Sequence, residues 1–366
     1  TRLFLEDNRL LNIDTDAISF PRATDYIKEQ IAMVQTLEQK GYAYRTSDGV
    51  YFDTSRFPHY GALSHGGGSF REEAFAEIGR RVGHNQEKRH PADFALWKLS
   101  PNGTARQQEW ASPWGTGFPG WHIECSAMAK ALLGPELDIH TGGIDHIPVH
   151  HTNEIAQSES ANEKPLSRFW MHEAFINFGD EKIAKSTGNV IYLSDITERG
   201  YSPLALRYLF LQAHYRSPLS FSWDALAAAN EALGRLTKLA HKISVEAKGR
   251  MRQTDTSRRM IALLRDDLAT PAALALVWQV VRDEEMTREE QLAVIDAAES
   301  VLGLSLLTPH DVLDIPQHIQ ALVKERELAR KNGDFSKSDA LRIHIEEGGY
   351  HVEDAPSGAI VTRRPG

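Results

Sequence analysis

Apolar residues recur at helical spacing in residues 24–40, where Ile27, Ile31, Val34 and Leu37 share one face. Thr24 is expected to cap that helix and Gly41 to end it. The period then shortens to two, and residues 42–53 predict a hairpin turning at Asp48 and Gly49. Residues 56–92 are rich in glycine, histidine and charge and predict irregular surface structure. Their run His65-Gly66-Gly67-Gly68-Ser69 lacks the lysine and the strand–helix frame of a phosphate loop.

Over residues 94–189 short apolar runs alternate with helical ones, the pattern of an α/β layer. Residues 137–140 predict a strand running into the turn Thr141-Gly142-Gly143. A helix is expected over 154–160 and a further strand over 173–178, ending at Gly179. Ligands in such layers collect at the carboxyl ends of strands, where glycine lets backbone approach phosphate. Gly142 and Gly143 are therefore candidates to face a nucleotide.

Beyond Pro203 the period is helical: 204–211, the Ala/Leu-rich run 224–245, and a helix opened by Thr270-Pro271. Residues 317–346 form a further charged helical stretch. Residues 351–364 predict a small hairpin turning at 356–358.

At 366 residues the chain implies two or more domains. Its composition, 41% hydrophobic and 25% charged, is that of a soluble protein, and no apolar run reaches membrane-spanning length. The opening residues 1–7 contain neither an initiator Met nor a signal-peptide core, so the chain is read as beginning inside a longer protein. A net charge of −9 argues against a nucleic-acid-coating protein. Residues 235–259 nonetheless hold eight basic side chains against two acids, a local excess able to meet phosphates; a solvated helix face is the plainer reading.

Cys125 is the sole cysteine, which suits a reducing, cytoplasmic setting and excludes an internal disulfide. Thiolate, imidazole and carboxylate are all zinc ligands, and His150 and Glu154 are spaced to share a helix face. Three protein ligands with one open position is the pattern of a working zinc site. The opposing reading is ordinary: free cysteines are common in cores, and sixteen histidines make chance neighbours easy. A second signal is Lys182-Ile183-Ala184-Lys185-Ser186, a loop that can set two cations on one polyphosphate. Such a run is also common in exposed loops.

Taken together these segments resemble the cysteinyl-tRNA synthetases, a class I aminoacyl-tRNA synthetase family. The resemblance is carried by the run 113–128 (Pro113-Trp114-Gly115 through Gly120-Trp121-His122-Ile123-Glu124-Cys125), by 138–145, and by His150-His151-Thr152-Asn153-Glu154. The loop Lys182–Ser186 looks like that family's mobile K-M-S-K-S segment, with Ile183 for Met and Ala184 for Ser. The resemblance spans nearly the whole chain.

It implies an α/β fold: the second half of a Rossmann-like class I catalytic domain, then a mostly helical anticodon-binding region with a small C-terminal hairpin. The implied division is a remainder of the first catalytic half with a connecting insertion (1–92) and a catalytic domain with zinc site and lysine loop (93–200). A stem-contact and helical bundle (201–310) and a small anticodon-recognition domain (311–366) follow. Cys125, His150 and Glu154 match three zinc ligands; the family's fourth, a cysteine near its N-terminus, has no counterpart here. The family's H-I-G-H-type ATP motif also precedes the first residue, so this polypeptide is expected to hold zinc weakly and to form no adenylate alone.

By the same resemblance Trp121 and His140 line the amino-acid pocket and Asp145 helps hold the substrate. Lys182, Lys185 and Ser186 contact ATP phosphates, with Mg²⁺ shared among them. Arg330, Asp339 and Asp354 match anticodon-reading positions, whereas Val361 replaces a frequent tryptophan. The implied protein is a cytoplasmic monomer that joins L-cysteine to tRNA(Cys) with ATP. Zinc supplies the selectivity, because serine differs from cysteine by one atom and an apolar pocket separates such pairs poorly. Rival readings are a cysteine ligase acting on an amino sugar, which does not use a long helical region such as 222–364, and a zinc hydrolase, which leaves the lysine loop unexplained. A catalytically incomplete RNA-binding fragment is the third.

Overall fold

Strand alternation in residues 43–52 produces the first hairpin, β1 (Ala43–Thr46) and β2 (Gly49–Phe52), paired in antiparallel register. In the computed structural model, which describes residues 2–66, 85–101, 106–178, 181–182, 191–249, 253–308, 317–355 and 358–363, two compact units separate. One holds residues 19–175; the other joins 1–18 to 176–366.

The first unit builds a four-stranded antiparallel sheet, β1-β2-β3-β4, with β3 at Phe94–Leu99 and β4 at Gly117–Pro119. Helix α2 (Ile27–Gln39) buries Met33, Val34 and Leu37 in a core shared with Val50, Phe52, Phe94, Leu96 and Trp97. That helix starts later than the apolar spacing predicts, after a 3₁₀ turn over Ala23–Tyr26. Its N-cap is Tyr26, without a side-chain cap, rather than Thr24. Helix α3 (Trp121–Leu133) leaves β4 through Gly120, where a Cβ would come within 2.0 Å of the Ala95 carbonyl oxygen, so only glycine fits.

Strand β5 (Leu137–Gly143) then pairs in parallel with β6 (Ser167–Glu173) around helix α4 (Thr152–Asn162), a βαβ crossover. The strand expected over 173–178 is two elements. β6 ends at Glu173, and β7 (Ile176–Phe178) begins the other unit, pairing with β8 (Glu181–Lys182) and in parallel with β9 (Leu219–Phe221). Ala174 and Phe175, which belong to neither strand, separate the two within the apolar run.

In the second unit α1 (Arg2–Leu10), α5 (Leu193–Glu198), α6 (Pro203–Leu211), α7 (Trp223–Glu246), α8 (Asp255–Arg265), α9 (Thr270–Val281) and α10 (Arg288–Leu302) follow in order. Helices α5 to α10 share an apolar core that includes Leu209, Leu236, Met260, Val277 and Ile295. Arg207 donates to the carbonyls of Leu11 and Leu302, tying the end of the first helical segment to the end of α10. Three side chains of the basic stretch are ion-paired to neighbours on their own helices: Arg235 to Glu231, Lys242 to Glu246 and Arg258 to Asp255.

The stretch 317–346 is two helices, α11 (Gln317–Lys331) and α12 (Phe335–Glu347), broken where Gly333 takes φ +76° and Asp334 caps α12 through the Lys337 amide. They pack on the hairpin β10 (Tyr350–Ala355) and β11 (Gly358–Arg363) over a core of Ile319, Ile345, Tyr350, Val352 and Val361.

Candidate metal centre and amino-acid pocket

Helix α3 turns Cys125 and His122, three residues apart, to one side, while Ile123, Ser126 and Ala127 are buried. After β5 the chain passes through a 3₁₀ turn (Ile144–His146) and a π-turn (Ile147–His151) before entering α4. A π-turn leaves a carbonyl short of its usual donor, and the Thr152 hydroxyl supplies one to Ile147 at 2.7 Å. The wide turn buries both His150 and His151. Gln157 on α4 donates to the Ser126 hydroxyl on α3 at 3.0 Å, which locks the two helices across the site.

One atom each of Cys125, His150 and Glu154 lies within 4.8 Å of the other two, so the three residues expected to hold zinc converge. His150 Nε2 is 2.9 Å from Glu154 Oε1. His140 Nε2, from β5, stands 3.4 Å from each carboxylate oxygen, at the outer limit of a hydrogen bond, and the fully buried Oε2 has no close donor. Trp121, with its indole mostly exposed, covers His150 at a ring separation of 4.7 Å.

Asp145 is exposed in the 3₁₀ turn, and its carboxylate folds back over Gly143, where a Cβ would meet it at 2.6 Å. Gly142 has a different constraint: a Cβ there would lie 2.7–2.8 Å from the rings of His151 and His146.

Four histidines that motif reading left aside complete the cluster. His122 Nδ1 is 2.9 Å from His150 Nδ1, and His151 Nδ1 is 2.8 Å from His172 Nε2. His146 stacks obliquely on His150 at 5.1 Å. The β5–β6 register explains part of this, since it pairs His140 with Trp170 and Gly142 with His172. His122 carries a signal in the sequence, one helical turn before Cys125; His172 carries none without the register.

The electrostatics follow from burial. Desolvation, reinforced by the negative charges of Glu154 and Glu124, pushes the Cys125 thiol up to about 12. Burial also penalises the Glu154 carboxylate, yet hydrogen bonds from His140 and His150 outweigh it and hold this group down to about 2. Burial first, and then the field of His150, lowers His122 to about 3; burial likewise lowers His151 to about 3. The site therefore sets a buried carboxylate beside a protonated thiol, with the imidazoles of His122 and His151 held neutral. A soft sulfur, an imidazole and a carboxylate with an unfilled oxygen together fit a zinc ion.

The remaining expected site residues lie elsewhere. Lys182 contributes backbone to β8, and Lys185 and Ser186 fall outside the described residues. Arg330 sits in the last turn of α11 and Asp339 on α12, both exposed, and Asp354 belongs to β10. Val361 faces inward to the small core, so it has no surface to offer a base.

Residues 1–231 match the family described as tRNA synthetases class I (C) catalytic domain. The chain is 45% identical over 360 residues to cysteine–tRNA ligase 1 of Burkholderia lata, covering 98% of this chain and 74% of that protein. It is 39% identical over 379 residues to the cysteine–tRNA ligase of Caldicellulosiruptor saccharolyticus, covering 98% and 79%. Among solved structures, Mycobacterium tuberculosis methionyl-tRNA synthetase in complex with methionyl-adenylate superposes with a TM-score of 0.51 at 14% identity, over 85% of this chain and 78% of that one, a likeness of fold. The architecture is thus that of a class I synthetase. Within that class, the chain belongs to the cysteine–tRNA ligase family.

Proposed function

We propose that the chain carries the site of a cysteine–tRNA ligase, in which L-cysteine is activated with ATP and Mg²⁺ and transferred to tRNA(Cys), with a zinc ion selecting the amino acid by its sulfur. The observation that carries this reading is the convergence of Cys125, His150 and Glu154 from two separate stretches into one largely buried donor cluster, with Trp121 against His150. In the two-step reaction the cysteine carboxylate attacks the α-phosphate of ATP and pyrophosphate leaves. The terminal ribose hydroxyl of the tRNA then attacks the acyl carbon and AMP leaves.

Zinc, when bound, takes a thiolate in preference to an alcohol and so separates cysteine from serine by donor chemistry. The protein's part is positional. His122 holds His150 with Nε2 turned to the site, and Glu154 supplies the buried negative charge. Trp121 and His140 wall the amino-acid pocket, with Asp145 near its mouth. Lys182 and Lys185 neutralise the phosphates, with Ser186 beside them. Arg330, Asp339 and Asp354 contact the anticodon, and a cytoplasmic monomer is the expected working form.

Relatives match across 98% of the chain, which includes the helical region that an amino-sugar ligase would leave unused. Metal-loaded protein is expected to bind cysteine at least about a hundredfold more tightly than serine, and Cys125→Ser to erase that preference. Isothermal titration with both amino acids checks it; equal affinities in the parent protein would sink the reading.

A further inference from the structure

The metal reading uses Cys125, His150 and one oxygen of Glu154, and leaves two buried donors unexplained. Both, His151 and the second oxygen of Glu154, are near His140, whose ring lies 4.8 Å from that of His151 and whose Nε2 is 3.4 Å from Glu154 Oε2. One nitrogen of His140, one of His151 and one Glu154 oxygen all fall within 4.8 Å of one another, a second complete three-donor set. We propose that His140, His151 and Glu154 form a second seat for a zinc-class divalent cation, bridged to the first by the Glu154 carboxylate.

Four observations support it. The buried Oε2 makes no hydrogen bond, its nearest nitrogen being His140 Nε2 at 3.4 Å, and among the described residues no Lys or Arg forms an ion pair with Glu154. An unpaired buried carboxylate oxygen is costly, and a cation removes that cost.

The separation of His140 Nε2 from Oε2, 3.4 Å, is poor for a hydrogen bond. It suits two ligands of one ion: metal–donor bonds of about 2.0–2.1 Å at a tetrahedral angle place their donors about 3.3–3.4 Å apart.

His151 is also braced as a metal-bound imidazole is. Its Nδ1 is held by His172 Nε2 at 2.8 Å, which directs the other nitrogen, Nε2, inward. The space that Nε2 occupies exists because residue 142 is glycine; a Cβ there would sit 2.8 Å from it.

The π-turn, finally, presents two consecutive imidazoles, His150 and His151, to the two donor sets separately.

The second ion would bind more weakly than the first, because the shared carboxylate is already partly neutralised when the first is in place. If the amino-acid pocket is as proposed above, excess zinc would draw His140 away from it and weaken cysteine binding.

The experiment is a titration of the metal-free chain with Co²⁺ alone, counting bound equivalents and following thiolate-to-cobalt absorption, which reports only the seat containing Cys125. The parent protein is expected to take two equivalents, only one of them with thiolate absorption. His151→Leu should take one, with that absorption intact, and Cys125→Ser should take one without it. His172→Asn, a milder change, should weaken the second equivalent about 10–100-fold.

A single equivalent in the parent at saturating cobalt, or two retained in folded His151→Leu, would overturn the proposal. A parent protein without thiolate absorption that keeps a His151-dependent equivalent would uphold this seat while defeating the cysteine-selective reading, so the two fail separately.

Discussion

Helices α4 and α9 are of nearly equal length and are both largely buried, yet they bury opposite things. α9 hides Ala273, Leu274, Leu276, Val277, Val280 and Val281, and α4 hides Thr152, Asn153, Glu154, Gln157, Ser158 and Ser160. Helix α9 gains stability from each apolar side chain removed from water. On α4, Glu154 Oε2, Gln157 Oε1, Ser158 Oγ and Ser160 Oγ are buried without a hydrogen-bond partner, an arrangement that costs free energy. The lesson is a division of labour: one helix holds its unit together, and the other keeps unsatisfied polar groups in place around a site that a ligand completes.

The largest expected effect tests the apolar side. Leu274→Ala should lower stability by about 2–5 kcal/mol in urea unfolding, with metal affinity unchanged. A loss under 1 kcal/mol would remove the contrast with α4. On the polar side, Gly142→Ala should cost about 1–3 kcal/mol by pressing on the His151 and His146 rings, and should weaken metal binding at the same time. Unfolding in parallel with a chelator competition measures both.

A pH series sharpens the contrast further. Burial holds the Cys125 thiol protonated up to about 12, so binding a metal must release that proton. Affinity should therefore rise about tenfold per pH unit between pH 7 and 9, and a flat profile would mean that sulfur is not a ligand. The smallest effect has the opposite sign from the first. Ser158→Ala should leave metal-free stability unchanged or raise it by up to about 1 kcal/mol, because it deletes a buried hydroxyl with no partner.

Much of the helical architecture was legible because it rests on local signals. The apolar face of α2 is written in neighbouring residues, and so is the proline in the first turn of α9. The strands were less so. β9 has three residues, and β6 mixes charged, aromatic and polar side chains with no regular period, so neither stands out from a loop. The broken run at 173–178 shows the same limit, since continuous apolar character does not reveal where pairing partners change.

At the site, the Cys125, His150 and Glu154 set was readable from residue type and spacing. The approach of His172 to His151 was not, for it depends on the parallel register of β5 and β6, and that is set by packing far along the chain.

The widened turn at Ile147–His151 has a consequence for how this segment can vary. In a regular helix, neighbouring residues point about 100° apart, and removing one residue would swing every following side chain by that angle. Deleting Val149 would therefore turn His151 and Glu154 away from their present neighbours together. Connections between a strand and a helix ordinarily absorb insertions and deletions, but this one is expected to accept changes of residue and refuse changes of length.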